Sequence, residues 1–399
     1  MEGSSATSGR PLGTVLRQEE QVTPLELFFD LVFVLALTQC TTIMAETPTW
    51  GALARGLLVL GVLWWSWVGY SWLTSVVDPE EGAVRIAMFA AMAALLVAAL
   101  AVPGAFDDEA LMFAAAYAIV RVGQIVLFVL ASVDDPSLRR SVQGLAVSTA
   151  IGVGLLTAAA FTDGIGQGAF WAVALLLDMG GPYLTGSAGW KLAPRHFAER
   201  HGLIVIIALG ESIVVLGVGA EVGIDLGVVT AATLGIALSA CLWWLYFDVV
   251  SHVAERRLVT ARKGREQNEI ARDSYSYLHF PMVAGIVLVA VGLKKTLAHV
   301  GDPLETVPAV ALMGGVAAYL LAHVAFRWRN VHTLSRQRLV AACVSVALLP
   351  LALEVPALAT LTVVVLLLIV LVVYEAIRFA EARDRIRHEL ARGHAEEAA

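Results

Sequence analysis

The chain has 399 residues; 58% are apolar, only 15% are charged, and the formal net charge is −7 at pH 7. A water-soluble domain carries about 25% charge, so the polar side chains are too few to cover an apolar interior, and lipid as the outer solvent removes the conflict. The acidic balance gives no footing for a nucleic-acid partner, and Cys40, Cys241 and Cys343 lie inside apolar runs, where cysteine is a small buried hydrophobe and neither a disulfide framework nor a metal site.

Residues 1–24 are polar, lack the short apolar core and cleavage site of a signal peptide, and read as a cytoplasmic N-terminal segment. Membrane spans, each needing about 20 mostly apolar residues, are expected at 26–45, 52–77, 84–103, 110–131, 141–161, 168–185, 202–220, 227–250, 277–298, 306–326, 339–353 and 357–378. The eleventh is short and interrupted by Pro350. The fold class is therefore an all-α polytopic bundle of about twelve spans. Starting from a cytoplasmic N-terminus, every inner segment carries Lys or Arg, whereas the outer loops carry acids such as Asp107, Asp108, Asp163, Asp225 and Asp302. Positive charge on one side is the signature of cytoplasmic loops, and it places both termini inside. The exceptions are Arg55, Lys294 and Lys295 near outer helix ends, where long side chains snorkel, and Arg121 in mid-span.

Segments in the two halves match in order. Leu31-Val-Phe-Val-Leu-Ala-Leu37 answers Leu203-Ile-Val-Ile-Ile-Ala-Leu209, Leu63-Trp64-Trp65 answers Leu242-Trp243-Trp244, and Ala116-Tyr117 answers Ala318-Tyr319. This suggests a tandem duplication: a six-helix repeat over 25–185, a cytoplasmic linker over 186–201, a second repeat over 202–378, and a charged cytoplasmic tail over 379–399. Parallel repeats of this kind occur in transporters, with sites between the halves.

Ionisable groups inside spans cost about 2.5–3.5 kcal/mol at a helix centre and so mark candidate sites. Glu26 and Asp30 are four apart and share a helical face; Glu26 also suits the positive end of the helix dipole, and Asp30 calls for a basic partner. Gln39 lies on the opposite side of the same span. Arg121 and His323 occupy nearly matching positions of the halves and are candidate counter-ions. Asp178 precedes Gly180-Gly181-Pro182, a run that suggests a broken helix end lining a cavity. Glu211, between Gly210 and Ser212, sits in mid-span with no Lys or Arg within a turn, and pairing with Arg121 or His323 is one way to hold it. Asp248 and His279 fall near inner span ends, where solvation is the simpler reading. His196 and His201 are five apart and fit neither a shared face nor the His-Glu-x-x-His zinc motif, so no metal is expected. The basic run 256–272, interleaved with acids, reads as a solvated helix. No phosphate loop, nucleophile elbow or dinucleotide fingerprint is present, and no cofactor or enzymatic activity is expected.

Two segments carry a resemblance. Pro24-Leu-Glu26-Leu-Phe-Phe-Asp30-Leu-Val-Phe-Val and Glu199-Arg200-His201-Gly-Leu-Ile-Val-Ile-Ile-Ala-Leu-Gly-Glu211-Ser212 resemble the signatures of the bacterial low temperature requirement protein A family. The resemblance covers nearly the whole chain and implies a multi-pass protein of the bacterial inner membrane associated with growth in the cold, without naming a reaction or substrate. A fainter likeness is to potassium channels built from paired six-helix repeats: Arg17 precedes Phe28-Phe29-Asp30, with Phe where those channels have Ser. The expectation is a carrier of a small solute or ion, with Glu211 and Asp30 as coupling groups. The other readings are an ion channel between the two repeats and a non-transporting sensor or scaffold. Its partners would be the lipid bilayer, the solute and, for a homo-oligomer, further copies of the chain.

Overall fold

The computed structural model describes residues 21–80, 82–187, 189–219 and 225–380. Arg10, Arg17 and the tail beyond 380 lie outside the described residues. In chain order the helices are α1 (Pro24–Glu46), α2 (Trp50–Thr74), α3 (Gly82–Leu100), α4 (Ala110–Ala131), α5 (Pro136–Ala159), α6 (Gly164–Thr185), α7 (Pro194–Gly219), α8 (Leu226–Phe247), α9 (Val250–Thr260) and α10 (Arg265–Ile270). After a π-helical stretch, Ala271–Tyr277, come α11 (His279–Ala298), α12 (Thr306–Val331), α13 (Arg336–Ala347), α14 (Leu349–Ala352) and α15 (Ala357–Arg378). Among the described residues, nine helical stretches are long and apolar enough to cross a membrane. Their outward faces are apolar: Leu31, Ile86, Ile119, Val147, Val370 and Ile377 are all exposed. Water rejects such a surface and hydrocarbon accepts it.

Local signals explain the helix ends. Thr23 and Glu26 form a capping box. Glu26 Oε2 accepts from the Thr23 N–H at 2.9 Å, and the Glu26 N–H reaches back to Thr23 Oγ1 at 3.4 Å; Pro24 sits at the first helical position, where its missing N–H costs nothing. Asp135 caps α5 by accepting from the Ser137 and Leu138 N–H groups, with Pro136 at the first position. Hydrogen bonding to Lys191, 2.7 Å away, holds the half-buried Asp135 carboxyl well below the usual carboxylate range. Asp225 caps α8 through the Val228 N–H.

Several ends differ from the sequence expectation. The run Gly180-Gly181-Pro182 does not break α6, which continues to Thr185 and stops at Gly186 with φ +80°. Pro182 still leaves the Asp178 carbonyl without its helical donor. The segment expected to be a linker up to residue 201 is helical from Pro194, so Glu199, Arg200 and His201 belong to the first turns of α7. The expected eleventh span is two pieces, α13 and the four-residue α14, separated at Leu348 with Pro350 in the second.

The chain divides into two units. Of the described residues, the first comprises those up to Ala36, within Gly61–Arg200 and within Arg262–Glu269; the second comprises those within Leu37–Leu60, within His201–Ala261 and from Ile270 to 380. In the first, α3 packs on α4, α4 on α5 and α5 on α6. In the second, α12 packs on α11 and α13, and α15 packs on α8. The α11–α12 approach is close because Gly285 and Gly315 face each other: a Cβ on either would fall 2.7 Å from the other's carbonyl oxygen. The two tryptophan pairs that suggested a duplication have different surroundings. Trp64 and Trp65 are buried, whereas Trp243 and Trp244 are 44% and 40% exposed.

Candidate functional site

In the first unit, the four-residue spacing of Glu26 and Asp30 on α1 faces the same spacing of His196 and Arg200 on α7. His196 Nε2 lies 2.7 Å from Glu26 Oε1, and Arg200 Nη2 lies 2.5 Å from Asp30 Oδ1. Arg200 Nη1 also comes within 3.5 Å of Glu26 Oε1 and donates to Thr74 Oγ1 at 3.1 Å. The Trp67 indole N–H donates to Asp30 Oδ1 at 2.8 Å, and the Arg200 guanidinium sits 5.4 Å from the Trp67 ring centroid. All four ionisable side chains are fully buried. Ser75 Oγ lies 3.1 Å from the Ser71 carbonyl and 3.3 Å from His196 Nδ1. Asp30 thus has the basic partner the sequence called for, and Glu26 is both a cap and an ion-pair member.

A second ion pair lies in the same unit. Arg121 on α4 meets both oxygens of Asp178 on α6 at 2.9 Å and donates to Thr149 Oγ1 at 2.7 Å and Gln124 Oε1 at 2.8 Å. Tyr117 donates to the same carboxylate at 3.3 Å. Arg121 and Asp178, both singled out in the sequence, thus form one buried ion pair, and its hydrogen bonds satisfy most of the polar atoms that its burial strands.

Glu211, in the second unit, is held differently. Its Oε2 accepts from Thr38 Oγ1 at 2.5 Å. Its other oxygen has no hydrogen-bond partner among the described residues, nor has the neighbouring Ser212 hydroxyl. Thr41 also touches the carboxylate, and Lys294 acts on it only through space. Among the described residues of this unit, His323 does not serve as its partner. Gln39, beside Thr38, is half-buried.

A model of the family described as "Bacterial low temperature requirement A protein (LtrA)" matches residues 21–373. The chain belongs to this family. An uncharacterized protein of Rhizobium meliloti (strain 1021) is 30% identical to it over 294 residues, 69% of each chain. No solved structure matches. Both motif segments of this LtrA chain meet in the first-unit network, through Glu26 and Asp30 on one side and Arg200 on the other. Glu199 is exposed and accepts from the Val22 N–H at 3.2 Å.

His201, next to Arg200 in the α7 motif, leads to a cluster that sequence reasoning missed. His201, Tyr246, Tyr275, His279, Tyr319 and His323 are all buried in the second unit. The His201 ring centroid lies 5.3 Å from Tyr275 and 5.2 Å from His279. His279, expected at a solvated span end, is fully buried because the π-helical stretch folds Tyr275 flat against it, with ring centroids 5.1 Å apart. His279 Nδ1 lies 3.0 Å from the Ser274 carbonyl, which can only accept, so Nδ1 carries the proton. In the neutral ring Nε2 is then the acceptor for Tyr246 Oη at 2.8 Å. His323 Nδ1 likewise donates to the Tyr319 carbonyl at 2.9 Å, and its Nε2 has no hydrogen-bond partner among the described residues. The signal in the sequence was weak: one histidine or tyrosine on each of several elements, with no shared spacing.

Proposed function

We propose that this multi-pass LtrA protein is a proton-coupled carrier of a small solute or ion in the bacterial inner membrane, with Glu211 as the group that takes up and gives up the proton. One contrast supports this reading. Of the four buried carboxylates among the described residues, Glu26, Asp30 and Asp178 are held by arginines, whereas Glu211 accepts from the Thr38 hydroxyl and leaves one oxygen without a hydrogen bond. A carboxylate that no cation pins as an anion is suited to exchange a proton as its surroundings change. Asp30, paired with Arg200, becomes an anchor between α1 and α7 and leaves the coupling role to Glu211.

The same proposal includes twelve spans arranged as two parallel six-helix repeats, both termini in the cytoplasm, and no covalent chemistry. The placement of basic residues supports the orientation. The requirement for growth at low temperature that the family name carries would follow from loss of the transported solute.

Proteoliposomes with internal pyranine and an imposed pH gradient test the assignment as inorganic cations, anions and amino acids are offered in turn. Wild-type protein is expected to move protons with one solute class, and Glu211→Gln to lose at least about tenfold of that flux, the scale of a lost proton-transfer group. Full coupled flux from Glu211→Gln removes the role assigned to Glu211. Unitary conductance steps in planar bilayers would favour a channel, and absence of any flux a sensor or scaffold.

A further inference from the structure

The second unit contains a cavity of about 400 Å³ among the ends of α8, α9, α12, α13 and α15. Its walls are largely apolar, with Trp244, Leu245, Val253 and Phe326 among them. That volume lies in the range of small-molecule sites, about 300–1,000 Å³. Walls of this kind favour an alkyl group over a polar solute. Its chemistry therefore asks for an apolar occupant.

The polar rim specifies the rest. Arg338 is committed: its Nε and Nη2 donate to the two oxygens of Glu375 at 2.9 and 2.7 Å. Arg327 uses only its Nε, which donates to Thr333 Oγ1 at 3.0 Å. Among the described residues its two terminal nitrogens have no hydrogen-bond acceptor, and through space the guanidinium feels both Arg338 as a like charge and Glu375 as an opposite one. Asp248 also lines the rim. The side-chain N–H groups of Arg327 are an unfilled fork for a phosphate. The surrounding helix ends carry exposed Trp243, Trp244 and Trp328, the residue type that gathers where hydrocarbon meets headgroups.

We propose that this cavity binds a membrane glycerophospholipid, with one acyl chain between α8, α9 and α12 and the phosphate on Arg327. A bilayer offers phosphate and alkyl chain joined in one molecule at this depth, the combination the lining presents. This inference is independent of proton coupling at Glu211, which lies outside the lining.

The test is native mass spectrometry of the full chain released from detergent micelles doped with phosphatidylglycerol, with diacylglycerol of the same chains, or with inorganic phosphate. Retention of phosphatidylglycerol is expected to exceed that of diacylglycerol about fivefold, the worth of one basic residue meeting a lipid phosphate, and inorganic phosphate is not expected to be retained. Arg327→Gln should bring phosphatidylglycerol down to the diacylglycerol level. Ala254→Trp, which fills the cavity from α9, should abolish retention of both. Equal retention of the two lipids by wild-type protein overturns the proposal without recourse to any variant. So does phosphatidylglycerol retention that neither substitution changes in variants eluting as wild type, or retention of inorganic phosphate alone.

Discussion

Arg200 stands between two buried carboxylates, and its removal strands both. Breaking a buried ion pair by deleting one partner costs about 3–5 kcal/mol, because a charge is left without compensation. Arg200→Met is therefore expected to lower the thermal midpoint in detergent sharply. The double variant Arg200→Met with Asp30→Leu should recover part of the loss, since it removes the stranded anion along with the cation. A double variant no better than the single one would show that Asp30 and Arg200 do not stabilise each other. Lysine is a poor substitute for Arg200, since one ammonium cannot reach Asp30, Glu26 and Thr74 in the fork geometry of the guanidinium. At this scale the sequence was informative about which residues matter and less so about their partners. The shared face of Glu26 and Asp30 follows from helical spacing, and the need of Asp30 for a cation from the cost of its burial. That the cation is Arg200 depends on α7 starting at Pro194, earlier than its apolar run. A hydropathy reading starts a span at its first apolar residues and misses polar turns that fold into the protein.

Neighbouring glycines on α12 make opposite demands at the scale of elements. A Cβ at Gly315 would press on the backbone of α11, 2.7 Å from the Gly285 oxygen and 2.9 Å from the Val289 nitrogen. At Gly314 it would meet only Val310 of its own helix, at 3.7 Å. Gly315→Ala is expected to force the helices apart and destabilise by about 1–3 kcal/mol, the usual cost of overpacking. Gly314→Ala should be neutral or stabilise by up to about 1 kcal/mol through helix propensity. Thermal melts of the two variants against wild type check the pair, and equal effects would mean that α11 and α12 do not approach through Gly315. Helix starts were partly legible: Asp135-Pro136 and Thr23-Pro24 with Glu26 are cap signals that a hydropathy window overlooks. The π-helical stretch was not legible, because polar Ala271–Tyr277 has no period of its own and its geometry is set by the packing of Tyr275 and His279. The continuation of α6 through Pro182 was hidden for a related reason, since packing outweighs one lost backbone hydrogen bond.

For the whole molecule, the surest inference from composition was lipid as the outer solvent, and the sidedness that follows can be measured. The loop at Asp108 is acidic and exposed, and the turn at Lys263 is basic and exposed. If positive charge is held in the cytoplasm, the two lie on opposite faces of the membrane. Cys343 is exposed, whereas Cys40 and Cys241 are buried, so Cys343→Ser gives a background on which single cysteines report their own accessibility. Asp108→Cys is then expected to react with a membrane-impermeant maleimide in intact cells, and Lys263→Cys only after the inner face is opened. An odd number of crossings between the two sites separates them and an even number unites them. The experiment therefore tests the parity of spans from α4 to α8, where α6 and α7 are helices of spanning length outside the nine stretches. Labelling of both sites from one side would mean that one of these helices lies along the membrane; if it is α7, Glu211 loses the mid-membrane position on which its proposed proton exchange depends.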